Sequence, residues 1–385
     1  MLLVRGDKFI KEGSNLYIVG SSSNRYYQLA AQTMGPYKIM GWLIDKGSYD
    51  LTHLEVFEEH KNVEIILNSN KSSFWKKVRI IKDQVKQADC VCVKMSLTNS
   101  IIACIFAKFF RKPFMMESAA DCYSSIRYHE GILYKLAALP VDLIVKLEHR
   151  MAKHIIYVSK FYLQQKYPSK ARQIGCSDAI LDCPGEEVLN KRLKMIDAHE
   201  GTYVLGLIGS TNATYRGHDI LIKAAYLLKK KGYDVKVRFL GGGSKNIKLE
   251  ELAESLGLKD RVEFGGRLQH EEVLSWIDEI DVLVMPTLAE SLGRAVIEAM
   301  SRACPVIGSI ETALREQIGS DCLAHARNVD EIVFALENII SRKGYAKACA
   351  CENFYRARKY ASDYTYSLRK NFYDEFYKIE NIQCK

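Results

Sequence analysis

The sequence contains no CxxC pair, no companion pair of histidines and no DxD motif. Those absences argue against a zinc or disulfide scaffold and leave no metal expected. The eleven cysteines are singletons or the pairs Cys90-Val-Cys92 and Cys349-Ala-Cys351, several of them inside apolar runs. Unpaired thiols used as small core hydrophobes, without a secretory leader, fit a reducing compartment, and the expectation is a cytoplasmic protein. Long apolar runs are missing too. Ile101 to Phe110 is broken by Lys108 and is far shorter than the roughly 20 residues a membrane span needs. No zinc-finger or RNA-recognition signature occurs, and the tyrosines do not interleave with the basic clusters, so nucleic acid is not an expected partner. Gly241-Gly-Gly-Ser-Lys245 lacks the spacing of a dinucleotide fingerprint or a P-loop and reads as a tight turn near a ligand.

What is present is an α/β pattern. At 385 residues, 48% of them apolar, the chain is too long for one core of about 100 to 200 residues, so two domains and a cleft are expected. Strand-like segments at 16–19, 63–67, 91–95, 113–116 and 155–158 alternate with helical patterns. The alternation restarts after a charged stretch at 186–201 that reads as a flexible linker, with strands at 204–208, 235–240, 262–264, 282–285 and 306–308. Such a series predicts two doubly wound parallel sheets, an N-terminal domain over 1–188 and a C-terminal one over 189–362. The tyrosine-rich end, 363–385, reads as a helix packing back on the first domain, its aromatics serving as docking contacts. Lysine and arginine number 55 against 46 acidic residues, a net +9. The clusters Lys76, Lys77, Arg79, Lys82, Lys86 and Lys108-Phe-Phe-Arg-Lys112 suit an anionic membrane surface or substrate, while a solvated helix face is the more common role of such charge runs.

The segment richest in chemistry is Asp281-Val-Leu-Val-Met-Pro-Thr-Leu-Ala-Glu290-Ser-Leu-Gly-Arg-Ala-Val-Ile-Glu298. It reads strand, loop, helix. Ligands of open parallel sheets bind beyond the carboxyl ends of strands, and a helix N-terminus there suits a phosphate. Eight helical steps would set Glu290 and Glu298 roughly 12 Å apart, too far to hold one atom but able to hold two ends of one ligand. Carboxylates accept from vicinal hydroxyls, so the pattern fits a nucleotide sugar; two glutamates on a solvated helix are the plain alternative.

The segment Glu290 to Met300 resembles the hallmark of glycosyltransferase family 4, the retaining group 1 enzymes of the two-Rossmann GT-B fold: a Glu, seven residues, a second Glu, and Gly three residues after the first. Leu207-Ile-Gly209 with Tyr215-Arg216-Gly217-His-Asp, Phe239-Leu-Gly-Gly-Gly243, Val262-Glu-Phe-Gly265-Gly-Arg-Leu268, and Ser301-Arg-Ala-Cys-Pro305-Val-Ile-Gly308 followed by Glu316 resemble its other elements, in the family's order. In the N-terminal half, Ala107 to Glu117 and Ile156-Tyr-Val-Ser159-Lys with Tyr167-Pro look like bacterial cell-surface polysaccharide members.

The resemblance implies roles. Glu290 would hold hydroxyls of the transferred sugar, Glu298 the ribose, the amides of Ser291, Leu292, Gly293 and Arg294 the distal phosphate, and Arg216 the diphosphate. Gly209, Ser210, Gly242 and Leu268 would complete the donor site. Relatives often carry arginine where this chain has Ser210, and Arg294 is the candidate for the missing cation. Gly20 with Ser21 to Ser23, Glu117 and Asp121 follow strands and are acceptor candidates, while His129 and His149 read as structural.

The reading is a retaining glycosyltransferase moving a hexose or N-acetylhexosamine from a nucleoside diphosphate sugar, UDP-linked, to a glycan or lipid-linked acceptor in surface polysaccharide synthesis. It needs no cofactor and docks on the inner face of the plasma membrane. A nucleotide-sugar 2-epimerase, a phosphorylase and a catalytically inactive binding module share the fold and remain as alternatives.

Overall fold

The computed structural model describes residues 1–382 apart from Ser21, Ser22, Ser48, Asp50, Ser96, Leu97 and Glu130, with only the backbone described at His53, His270 and Glu271. The chain divides into two compact units, 1–120 with 140–178 and 363–385, and 121–139 with 179–362.

The first unit holds β1 (Leu2–Val4), β2 (Lys8–Glu12), β3 (Asn15–Val19), β4 (Tyr37–Leu43), β5 (Val63–Ser69), β6 (Val91–Lys94), β7 (Phe114–Ser118), β8 (His154–Tyr157) and β9 (Arg172–Gly175). Their order is β3-β2-β4-β1-β6-β7-β8-β9, with β5 also on β4. The helices up to residue 178 are α1 (Asn24–Met34), α2 (Phe74–Gln87), α3 (Thr98–Phe109), α4 (Cys122–Arg127), α5 (Ile132–Met151) and α6 (Tyr162–Lys166), of which α4 and the start of α5 count with the second unit. All pairings are parallel except β2 with β3. Strands β6, β7 and β8 are buried along their whole length, which explains why they read as unbroken apolar runs: a parallel strand is covered on both faces.

The second unit carries α7 (Glu186–Ala198), β10 (Tyr203–Ile208), α8 (His218–Lys230), β11 (Val235–Leu240), α9 (Asn246–Ser255), β12 (Val262–Phe264) and α10 (His270–Asp278). It continues with β13 (Val282–Met285), α11 (Arg294–Ser301), β14 (Val306–Ser309), β15 (Leu323–Ala324), α12 (Val329–Ser341) and α13 (Lys343–Ala357). The sheet order is β12-β11-β10-β13-β14-β15, parallel throughout. The chain winds outward from β10 through β11 to β12, then returns to place β13 on the other side of β10. The switch point therefore lies between the carboxyl ends of β10 and β13.

Two expectations need correction. The charged stretch at 186–201 is not a flexible linker but the helix α7. Its Leu189 packs with Ala303, Ala350 and Phe354, and buried Arg192 donates to the carbonyls of Ile280 at 2.6 Å and Ile277 at 2.9 Å. Charge at its solvent face concealed an amphipathic pattern. Accordingly the chain passes into the second unit at Asp178–Ala179 rather than at 188, and 121–139 counts with that unit as well. The segment 16–19 is also not an opening parallel strand: β3 is the antiparallel return of a hairpin with β2.

The last helix, α14 (Ser362–Ile379), packs Phe372, Tyr373, Phe376 and Tyr377 among Leu3, Tyr27, Ile39 and Met115 of the first unit. Its Arg369 donates to Glu117 Oε1 at 2.5 Å, and the Tyr373 hydroxyl donates to the same oxygen at 3.0 Å. Burial pushes the Glu117 carboxyl up, but Arg369 and Lys94 outweigh it and hold the pKa below its ordinary value. Removing one partner of such a buried pair strands the other, which costs about 3–5 kcal/mol. Arg369→Ala should lose that much in urea unfolding of the full chain. Arg172→Ala, which breaks the exposed pair with Glu375 on the same helix, should lose under about 1 kcal/mol. Equal losses would refute the assignment of α14's anchor to Glu117.

Candidate functional site

Two loops meet at the switch point of the second sheet. The loop after β10 runs from Gly209 to a short 3-10 turn at Thr214–Arg216 and into α8. The loop after β13 runs from Pro286 to Gly293 and into α11. The Leu288 amide donates to the Tyr215 carbonyl at 2.9 Å, and the Arg216 guanidinium pairs with the Glu290 carboxylate. Arg216 and Glu290 are each largely buried, with side chains 24% and 18% exposed. Burial disfavours the arginine's charge, yet the adjacent carboxylate more than offsets this and raises the pKa. The other oxygen of Glu290 accepts from the Ser291 amide at 3.1 Å, and its carbonyl accepts from Ala313 N–H at 3.1 Å.

Glycine is dictated at two points. Gly217 has φ +81°, and a Cβ there would lie 2.4 Å from the Pro286 carbonyl oxygen, so the loops could not close. Gly293 has φ +47°, and a Cβ would lie 2.3 Å from Leu314. It is the N-cap of α11, and Gln317 donates to the neighbouring Leu292 carbonyl at 2.9 Å. Leu292 is itself buried. Arg294 is the first residue of α11, exposed and without an ionic partner among the described residues. Glu298 follows one turn later, half-buried.

Beside these lies the loop after β11. Ser210 donates its hydroxyl to the Gly242 carbonyl at 2.9 Å. The stem of Arg216 runs past Gly209, with Cδ 3.4 Å from where a Cβ would sit. Leu268, in the loop after β12, is 37% exposed. Gly209, Ser210, Arg216, Gly242, Glu290 and the start of α11 thus sit on the carboxyl-end loops of β10, β11 and β13.

Sequence reasoning gave no role to two residues here, His218 and Arg267, and did not foresee the contact that Asp121 makes. His218 directs Nε2 to the Gly209 carbonyl at 3.3 Å, and burial lowers its pKa to about 4, so the neutral ring steadies that loop. Arg267 lies over Gly242, Nε 3.4 Å from a built Cβ; it is exposed and forms no ion pair among the described residues. The Asp121 amide donates to Ser291 Oγ at 2.6 Å. Only Arg267 left a trace in sequence, as the cation beside Leu268.

The acceptor candidates fare differently. Glu117 is 5% exposed and committed to Arg369, Tyr373 and Lys94. Asp121 is 1% exposed, and its carboxylate caps α4 by accepting from the Ser124 amide at 2.9 Å. Both serve the fold in this structure. Gly20 ends β3 with φ +113°, while Ser21 and Ser22 lie outside the described residues. His149 is buried between Val145 O and Ser118 Oγ, and His129 lies against the Tyr134 ring. Among the described residues no three His, Cys, Asp or Glu side chains gather as metal ligands, and no helix is long and apolar enough to cross a membrane.

Residues 196–354 match the family of glycosyl transferases, group 1. Protein CapJ of Staphylococcus aureus is 25% identical over an alignment of 393 residues covering 100% of this chain and 93% of that protein. The 2-deoxystreptamine N-acetyl-D-glucosaminyltransferase of Streptomyces fradiae is 41% identical over 81 residues, 21% of this chain and 19% of that one. In structure the chain is similar to HepE of Anabaena in complex with UDP-glucose, with TM-score 0.68, 14% identity and coverage of 97% and 99%.

Gly293→Ala tests the geometry directly. The added methyl must displace Leu314 in a packed core, at a cost of about 1–3 kcal/mol, and must tilt the start of α11. Lower thermal stability together with weaker nucleoside diphosphate binding is expected; unchanged binding would show that the N-terminus of α11 does not meet the ligand.

Proposed function

We propose, from the premise that this chain belongs to the group 1 glycosyltransferases and is a transferase of the GT-B fold, that it moves a hexose or N-acetylhexosamine from a UDP-sugar, with retention, to a glycan or lipid-linked acceptor. It acts in surface polysaccharide synthesis and is a family 4 enzyme. The observation that carries the reading is the Arg216–Glu290 pair at the switch point, next to the N-terminus of α11. A cation, a carboxylate and the N-terminus of a helix on adjoining loops support this reading, because a nucleoside diphosphate sugar asks for such groups. A uridine base and a glucose or N-acetylglucosamine sugar are supported by HepE's complex with UDP-glucose and by the name of the relative 2-deoxystreptamine N-acetyl-D-glucosaminyltransferase.

The diphosphate competes with Glu290 for Arg216. When it arrives, Arg216 turns its charge to the phosphates and Glu290 is released to the sugar hydroxyls, so the resting pair stores both groups in a neutral state. Glu298 takes the ribose. Departure of the diphosphate is the charge-separating step, and fixed donors that meet the developing charge are worth about 10²–10³ in rate. Arg294 supplies the second cation that Ser210 does not. No metal or cofactor enters this scheme.

The test is turnover of UDP-sugars by purified full-length protein. Arg216→Ala should lose about 10²–10³ in kcat, Arg294→Ala about tenfold, and EDTA should change nothing. Full turnover in Arg294→Ala beside a crippled Arg216→Ala would refute the compensation, and Arg267→Ala in parallel would reveal whether the cation over Gly242 takes that place. No melting shift with any nucleoside diphosphate, or a shift that survives Glu298→Ala, would overturn the donor site.

The same reading has the protein dock on an anionic membrane. Support comes from α3 and the second half of α5, joined by the Ser100 hydroxyl donating to Glu148 at 2.7 Å. They expose Ile105, Phe109 at 74%, Leu143 at 67% and Leu147 at 53%, with Lys108, Arg111, Lys112 and Arg150 nearby in sequence. Apolar side chains rimmed by cations match an anionic lipid surface. The protein should sediment with anionic liposomes at low salt, less so as salt rises, and Leu143→Glu with Leu147→Glu should abolish it. Absence of sedimentation at low salt would sink the docking.

A further inference from the structure

We propose that a second pocket, in the first unit, binds an anionic group, a phosphate or a carboxylate, carried by the sugar acceptor. The inference rests on the transferase reading and adds to it the charge class of the acceptor. The cavity measures about 530 Å³ and opens at the carboxyl ends of β1, β4 and β5, where Gly6, Trp42 and Asn70 reach it. This is the side of an open parallel sheet on which ligands bind.

Its lining holds two lysines and no carboxylate. Lys8 stands opposite Trp42 in the β2–β4 register, is exposed, and pairs with no acid among the described residues. Lys77 projects from α2 across the Trp42 ring, its Nζ 5.4 Å from the centroid, and donates to Asn70 Oδ1 at 3.2 Å. Two helices begin at the cavity wall, α2 at Phe74 and α3 at Thr98 and Asn99. Helix N-termini add positive potential to that of the lysines. Trp42 is 3% exposed and its buried Nε1 has no hydrogen-bond partner among the described residues. Buried indole N–H groups ordinarily have one, so a donor is left over beside the cavity.

The combination selects a ligand class. Phe74, 53% exposed, offers an aromatic face to the apolar side of a sugar ring, and Asn70 and Asn99 offer amides to its hydroxyls. A neutral sugar would use these and leave two cations and two helix termini unanswered. An anion beside the ring answers them, with charge-assisted hydrogen bonds from Lys8 and Lys77.

Isothermal titration of the full chain with a hexose 1-phosphate, a hexuronate and the neutral hexose separates the outcomes. Saturable binding of either anion but not of the neutral sugar is expected, and the tighter of the two names the group. Lys8→Gln with Lys77→Gln should weaken it at least about tenfold, Asn99→Asp should weaken it by charge repulsion, and Glu298→Ala should leave it unchanged. The lysine variants should retain nucleoside diphosphate binding. No saturable binding of either anion, equal binding of the neutral sugar, or binding that survives the lysine variants and falls in Glu298→Ala, where the anion sits in the donor site, would overturn the proposal. Anion binding that depends on the lysines in a protein that binds no nucleoside diphosphate would leave the pocket standing and refute the transferase reading of the second unit's site instead.

Discussion

A positive charge at the switch point of a parallel sheet must be neutralised until a ligand arrives, and in the second unit Glu290 does this for Arg216 across 74 residues of chain. The constraint is severe because both groups are largely buried, where an unpaired ion costs several kcal/mol. Much of the local sequence follows from it. Gly217 allows the arginine's loop to approach Pro286, and the Tyr215 carbonyl receives the Leu288 amide so that the two loops keep step. Gly293 then turns the chain into α11 at φ +47°, where any Cβ would run into Leu314.

The first unit depends on an ion pair of the opposite kind, one that nothing is meant to open. Glu117 at the carboxyl end of β7 is held by an arginine 252 residues later, and the aromatic side chains of α14 complete the core around Leu3, Tyr27 and Met115. That unit cannot be finished until the last residues of the chain exist, although its sheet is assembled from the first 178. Charge and apolar burial cooperate here: the ring cluster keeps water from the pair, and the pair fixes the register of the helix.

How much of this could be read in the sequence depended on whether function was contiguous. Glu290 to Glu298, Arg216 with Gly217, and the Gly241 turn each lie within one strand-loop-helix unit, so their order along the chain is also their placement in the sheet. The central parallel strands were equally legible, being apolar on both faces. The linker was misread because α7 exposes its charges and hides Leu189 and Arg192. Glu117 was misread because a carboxylate following a strand looks the same whether it meets a ligand or an arginine from the far end of the chain. Strand β4 escaped because Lys38 and Gly41 interrupt its apolar pattern, though Gly41 is there to admit the Phe9 ring.

The two units share an architecture and differ in what occupies its crevice. In the first, the chain reverses between β1 and β6, and that switch point is filled. Lys94 pairs with Asp178 at 2.9 Å and Glu117 at 3.6 Å, Arg5 with Asp7 at 3.0 Å, and Arg369 closes the group from α14. Three cations face three carboxylates, and the Arg5 and Lys94 charges also lie over the Tyr26 ring. A crevice so matched offers a substrate no net charge. The open cavity lies instead at the neighbouring strand ends, β4 and β5, where Lys8 and Lys77 meet no acid among the described residues. One crevice holds its arginine with a single carboxylate, while the other is closed by three cations matched to three carboxylates, and this asymmetry is why the proposed reading looks to the second unit for the donor.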